Sequence, residues 1–216
     1  ALAVTLPRAG NIGGGGFMLI YSADSQQVFA IDYRSAAPVA ATSEMYLTES
    51  GVVRFGHLVN AVPGSVAGLI KAHKEYGKLS LKEVLRPAIQ LARKGFPVSY
   101  DLNYVLGWGK NSMLANNASK KKFYNPKDKP LPVASILKQP KLARTLNIIA
   151  NKGDQAFYEG EIADWIVEDS LANGGLITKG DLANYSAKDR VPIESFYRGY
   201  KIVSMPPAAS GGIVLL

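Results

Sequence analysis

The chain has 216 residues, 47% of them hydrophobic, with no cysteine and a formal net charge of +8. That length admits one large domain or two small ones, and the hydrophobic share is too high for a disordered chain. No stretch reaches the roughly 18 consecutive apolar residues of a membrane span, and the lack of cysteine excludes a disulfide framework, thiol catalysis and cysteine–zinc clusters.

Ala1–Thr5 reads as the last turn of a helix stopped by Pro7. Gly13, Gly14, Gly15 and Gly16 then strip every side chain from one face of the backbone, which suits close approach of another layer or of a substrate. They are no phosphate cradle, because the next element is a strand rather than a helix opened by Lys-Ser or Lys-Thr. Phe17–Tyr21 has the length and bulk of a buried strand, Ser22–Ser25 supplies a turn, and Gln27–Arg34 returns as the second strand of a hairpin. Thr42–Leu47 predicts a short helical turn, Gly51–Ala61 an extended or looped segment, and Val62-Pro63-Gly64 a turn. Ser65 is the expected N-cap of a helix to Tyr76, stopped at Gly77. Ser80-Leu81-Lys82-Glu83 is a capping box opening a helix that ends at Gly95, with Pro87 predicting a kink or two shorter pieces. Ser99–Trp108 reads as a helix with Leu102, Val105 and Leu106 inward. Gly109–Pro140, rich in Asn, Lys and Pro, is the expected irregular segment, and its run Lys120-Lys121-Lys122 reads as a solvated loop. With the other basic residues dispersed, no nucleic-acid partner is expected. Helices resume at Lys141–Ala150 and Glu161–Ala172, Thr178-Lys179-Gly180-Asp181 is a second capping-box-like start, and Val191–Phe196 and Tyr200–Ser204 are strands. No linker divides the chain, so residues 1–216 read as one domain. The apolar ends Ala1–Val4 and Ile213–Leu216 are expected to be covered by missing neighbours, as in a fragment or a processed subunit.

Arg34 is the residue best suited to chemistry. A guanidinium at a strand exit, beside a collar of glycines, can grip a carboxylate through two charge-assisted hydrogen bonds. An ordinary ion pair with Asp32 or another acid is the alternative. His57 and His73 show no metal spacing or nucleophile partner and read as structural or exposed, while Trp108 and Trp165 sit on helical patterns and read as core. Met205–Gly212 is a strand exit and rigid turn leading into an apolar helix. There Ser210, Gly211 and Gly212 can bind an anion or, the safer reading, lie close to another layer.

Taken in order, Gly10–Met18, Asp32-Tyr33-Arg34 with Ala37-Pro38, Val62–Gly68, Asn173–Thr178 with Asp181-Leu182, Tyr197–Tyr200, and Met205-Pro206-Pro207 with Ser210-Gly211-Gly212 resemble the large subunit of the gamma-glutamyltransferase family. The resemblance implies an α+β fold, part of the four-layer αββα sandwich of the N-terminal-nucleophile hydrolases, made from a precursor that cuts itself into two subunits. It implies that the partner small subunit supplies a Thr nucleophile that attacks the γ-glutamyl amide of glutathione, passing the acyl group to water, an amino acid or a peptide. Arg34 matches the family's ligand for the donor α-carboxylate, and Gly13–Gly16 with Ser210–Gly212 are expected to line the cleft. No catalytic residue, cofactor or metal is expected in this chain, since none of Thr5, Thr42, Thr48, Thr145 or Thr178 lies in a self-cleavage motif. Ala208-Ala209 depart from the family's frequent Pro-Ser. The implied location is periplasmic or secreted. Two rivals remain: a cephalosporin-acylase-like amidase that prefers glutaryl side chains, and a non-catalytic binding module.

Overall fold

In the computed structural model, which describes residues 1–48, 51–53 and 55–215, the glycine-led segment forms the expected hairpin. Strand β1 (Phe17–Ser22) pairs antiparallel with β2 (Gln27–Asp32), and Gly16 and Tyr33 exchange one further pair of backbone hydrogen bonds. The strand ends at Asp32 rather than Arg34, because the Arg34 amide turns back to the Asp32 carboxylate, Oδ1, at 3.0 Å. On its other edge β2 pairs with β3 (Lys188–Arg190), a short, charged strand that shows no apolar alternation in the sequence. The central strand accordingly buries Ala30, Ile31 and Asp32.

The chain falls into two compact units. One comprises residues 12–80 and 152–216. Its core gathers Ile31, Val62, Val66, Ile70, Phe157, Tyr158, Ile162, Ile177 and Leu182 around the β1–β2–β3 sheet. Helix α1 (Ser65–Tyr76) stops at Gly77 as expected, but its N-cap is Gly64, and Ser65 is buried in the first turn. The predicted capping box at Thr178–Asp181 forms reciprocally: the Asp181 amide donates to the Thr178 hydroxyl, and the Thr178 amide donates to the Asp181 carboxylate. Ile193–Tyr197 and Tyr200–Ser204 make a hairpin whose turn holds Arg198 and Gly199 at positive φ, and Ser210–Leu215 is helical.

The other unit comprises residues 1–11 and 81–151 and is mostly helical, with Val4, Ala88, Ala92, Val98, Leu102, Leu106, Leu137, Leu146 and Ile149 as its core. Leu81–Lys94 is one helix despite Pro87. That proline is exposed, so the hydrogen bond it cannot donate is lost on the solvated side. Ser99 caps α2 (Tyr100–Trp108) by accepting from the Leu102 amide. The expectation of irregular structure from Gly109 onward fails over its first part, where Lys110–Leu114 and Asn117–Phe123 are helical. Asn116 caps the second of these, and Lys120-Lys121-Lys122 lie in its last turn. Cations there complement the negative end of the helix dipole, so the lysine run supports a helix instead of marking a loop. The two tryptophans are also misplaced by the sequence reading: Trp108 is 85% and Trp165 37% exposed.

Candidate active-site cleft around Arg34

Three tight contacts fix the backbone on either side of Arg34. A Cβ added to Gly15 would run into the Ser35 amide and the Tyr33 and Arg34 backbone. A Cβ on Gly64 would meet the Tyr185 hydroxyl and the Tyr33 carbonyl, and one on Gly68 the Tyr33 ring. These glycines let α1 and the glycine run close around the strand exit, where any side chain would push it away. The close-packing reading of the glycine collar is therefore the one the geometry bears out for Gly15 and for Gly16, which lies under the Tyr33 ring.

Hydrogen bonds complete the mount. Asp32, 9% exposed, accepts the Arg34 amide on Oδ1 and receives Nε and Nη2 of Arg190 on Oδ2, at 3.1 and 2.9 Å. The Tyr185 hydroxyl donates to the Arg34 carbonyl at 2.8 Å. Burial, with the Asp32 charge behind it, pushes the Tyr185 phenol up to about 12, so it stays a donor through the working range. Tyr185 stacks on the Tyr158 ring at 5.7 Å, and Tyr158, whose own phenol burial drives upward, donates to the Pro63 carbonyl and accepts from the Ala67 amide. The Arg34 side chain itself is exposed, and among the described residues no hydrogen bond or ion pair engages its guanidinium. The alternative of an Asp32–Arg34 ion pair fails because Arg190 has taken that oxygen.

Arg34 opens into a cleft of about 420 Å³ shared with Lys188, Arg190, Asn184 and Tyr185, and Ala208 contributes from the stretch after the last strand. Three cationic side chains face two acids, both committed: Asp32 to Arg190, and Asp181 to its capping box and to the Val39 amide at 2.8 Å. Burial pushes the Asp181 carboxyl up, but hydrogen bonds from the Thr178 hydroxyl and from the Val39 and Thr178 amides outweigh it and hold the group below its ordinary range. Its contribution to stability is therefore present above the unfolded-state pKa and lost as pH falls through the lower folded value. Asp181→Ala is expected to cost about 1–2 kcal/mol at neutral pH. In urea titrations the gap to the parent should shrink steadily in acid; a gap independent of pH would refute this account.

The other expected cleft residues are placed differently. Gly13 lines a neighbouring depression with Ser35, Asn60 and Pro63. Gly14 accepts the Gly64 and Ser65 amides on its carbonyl. Ser210 and Gly211 are exposed, while Gly212 is buried against the Met205 carbonyl and Ile193. None of Ser210, Gly211 and Gly212 lines the Arg34 cleft, although Ala208 does. Sequence reading missed Arg190, Tyr185 and Lys188, whose only signal was their nearness to the Thr178 capping box. His57 pairs with Asp169 at 2.9 Å, and His73 meets the Leu79 carbonyl at 2.8 Å, both consistent with structural use.

A family model described as Gamma-glutamyltranspeptidase matches residues 1–216 in full. The chain belongs to the gamma-glutamyltranspeptidase family. It is 44% identical over 218 residues to the glutathione hydrolase proenzyme of Escherichia coli, across 99% of this chain and 37% of that protein. The crystal structure of Helicobacter pylori gamma-glutamyltranspeptidase superposes with a TM-score of 0.95 at 42% identity, covering all of this chain and 63% of that one. A cephalosporin acylase from Bacillus halodurans is a more distant neighbour, with TM-score 0.86 and 29% identity over 95% of this chain and 40% of that one. The chain thus spans little more than a third of the length of the curated relative. Its mixed helix and strand content and these superpositions agree with the α+β N-terminal-nucleophile hydrolase expectation. The word proenzyme in the relative's name denotes a precursor.

Proposed function

We propose that this chain is the substrate-gripping part of the large subunit of a gamma-glutamyltransferase that hydrolyses glutathione. One observation carries the reading: a guanidinium without a partner among the described residues, on a backbone held by Asp32, Tyr185 and three close-packed glycines. Arg34 clasps the donor α-carboxylate in a planar fork. A Thr on the small subunit attacks the γ-glutamyl amide, its own α-amino group taking the proton, and the resulting ester passes the acyl group to water, an amino acid or a peptide. The small subunit packs against the apolar surface presented by Val191, Phe196, Tyr197, Tyr200 and Ile213–Leu215. Family resemblance supports a periplasmic or secreted enzyme.

A second reading has support of its own. Both acids lining the cleft, Asp32 and Asp181, are already hydrogen-bonded, so neither is a free partner for a donor α-ammonium, which an acylase for glutaryl groups would not need. A glutaryl group keeps the carboxylate and lacks the amine. Rates of the complete enzyme on γ-glutamyl-p-nitroanilide and glutaryl-p-nitroanilide decide between them. Faster γ-glutamyl turnover is expected; faster glutaryl turnover establishes the acylase, and no turnover of either the binding module.

A further inference from the structure

Charge is divided unequally along this chain. Residues 1–11 and 81–151 hold fourteen Lys and Arg against three Asp and Glu, a net charge of +11, whereas the remaining residues hold eleven against fourteen, a net of −3. Two of the three acids in the basic unit are already paired, Asp101 with Arg8 and Asp128 with Lys120. Lys121, Lys127 and Lys129 are exposed, and among the described residues no acid pairs with them. A basic excess of this size on a small unit draws it toward polyanionic surfaces.

The same unit presents an aromatic stripe. Tyr100, Tyr104 and Trp108 recur every fourth residue along α2 and are 74%, 62% and 85% exposed, while Leu102 and Leu106 bury the opposite face. Nothing in the interior requires three large rings in water on one helix face. Beside them an open recess of about 580 Å³ is lined by Tyr104, Gly107, Trp108 and Lys129, which brings a cation to the aromatic row. Tyr and Trp carry an apolar ring with a polar tip, the combination that settles at the headgroup level of a bilayer, and lysines around them meet anionic lipid.

We propose that this helical unit docks the enzyme peripherally on anionic phospholipid bilayers, with Tyr104 and Trp108 entering the headgroup layer and Lys121, Lys127 and Lys129 meeting lipid phosphates. Spanning is not involved: among the described residues no helix is long and apolar enough to cross a membrane. Single-stranded nucleic acid is the less fitting polyanion. The Tyr100 and Tyr104 rings stack on one another at 6.4 Å and 15°, so they spend on each other the faces that bases would use.

Co-sedimentation of the complete processed enzyme with vesicles tests this. It is expected to bind vesicles of about three parts phosphatidylcholine to one part phosphatidylglycerol, and not pure phosphatidylcholine. Binding should weaken at least about tenfold when salt rises from about 0.1 to about 0.5 M. Replacing Lys121, Lys127 and Lys129 by Gln should give a loss of at least about tenfold at low salt. Tyr104→Ala with Trp108→Ala should also weaken binding, and hydrolysis of γ-glutamyl-p-nitroanilide in solution should be unchanged in both variants. Absence of vesicle binding, equal binding to neutral vesicles, or undiminished binding by the variants overturns the proposal. So does displacement from vesicles by a single-stranded oligonucleotide that the enzyme binds more tightly.

Discussion

Arg34→Ala in the processed enzyme is expected to lower kcat/KM for γ-glutamyl-p-nitroanilide by about one to two orders of magnitude, chiefly through a raised KM, with self-processing intact. The magnitude follows from a hydrogen-bonded charge pair, which contributes about 1.5–3 kcal/mol. Loss should be expressed almost wholly in substrate binding, because among the described residues the guanidinium has no partner whose release would disturb the fold. Asp32 and Arg190 remain paired in the variant, since neither depends on the Arg34 side chain. Arg34→Lys should recover only part of the loss, because an ammonium reproduces the charge and not the planar two-point grip. Steady-state kinetics on the three proteins check this. Unchanged kinetics in Arg34→Ala would remove the residue from the site altogether.

A second large effect is expected from a single methyl group. Gly64→Ala places a Cβ on the Tyr185 hydroxyl and the Tyr33 carbonyl, and the second of these is backbone that cannot rotate aside. Overpacking of this kind costs about 1–3 kcal/mol, and the rigid neighbour puts Gly64 at the upper end. The atoms displaced are those that hold the strand exit: Tyr33 precedes Arg34, and Tyr185 donates to its carbonyl. The variant should therefore lose both stability in urea and catalytic efficiency, although Gly64 does not itself line the Arg34 cleft. Gly180→Ala is the matched control. Its Cβ would meet nothing nearer than the Thr178 hydroxyl at 3.7 Å, so a stability near or slightly above the parent is expected. If Gly64→Ala behaves like Gly180→Ala, the mounting described for Arg34 is wrong.

These two substitutions separate what local sequence could reveal from what it could not. Arg34 is legible as a candidate because a strand exit, a glycine run and a guanidinium coincide within one short segment, although its pairing stays open at that level. Its committed neighbours were not, because Arg190 reaches Asp32 across 158 positions and Tyr185 reaches Arg34 across 151. No spacing rule connects residues so far apart. The misread lysine run and Trp108 fail for a different reason. Both were judged from residue type in a local pattern, and whether a helix face looks inward or outward depends on what packs against it.

By itself, then, the amino-acid order determined the hairpin, the helices with paired start and stop signals, the capping box at Thr178 and the family motifs. Each of these is written in contacts between residues a few positions apart, where backbone propensity and side-chain caps decide. Tertiary structure alone decided that the Asp32 carboxylate pairs with Arg190 rather than with the Arg34 guanidinium, that Gly64 and Gly68 make room for Tyr33 and Tyr185, and that Tyr100, Tyr104 and Trp108 face solvent. Pairing of a buried charge, close approach of two backbones and burial of a ring are all properties of distant partners. They come into being only when the chain has brought those partners together.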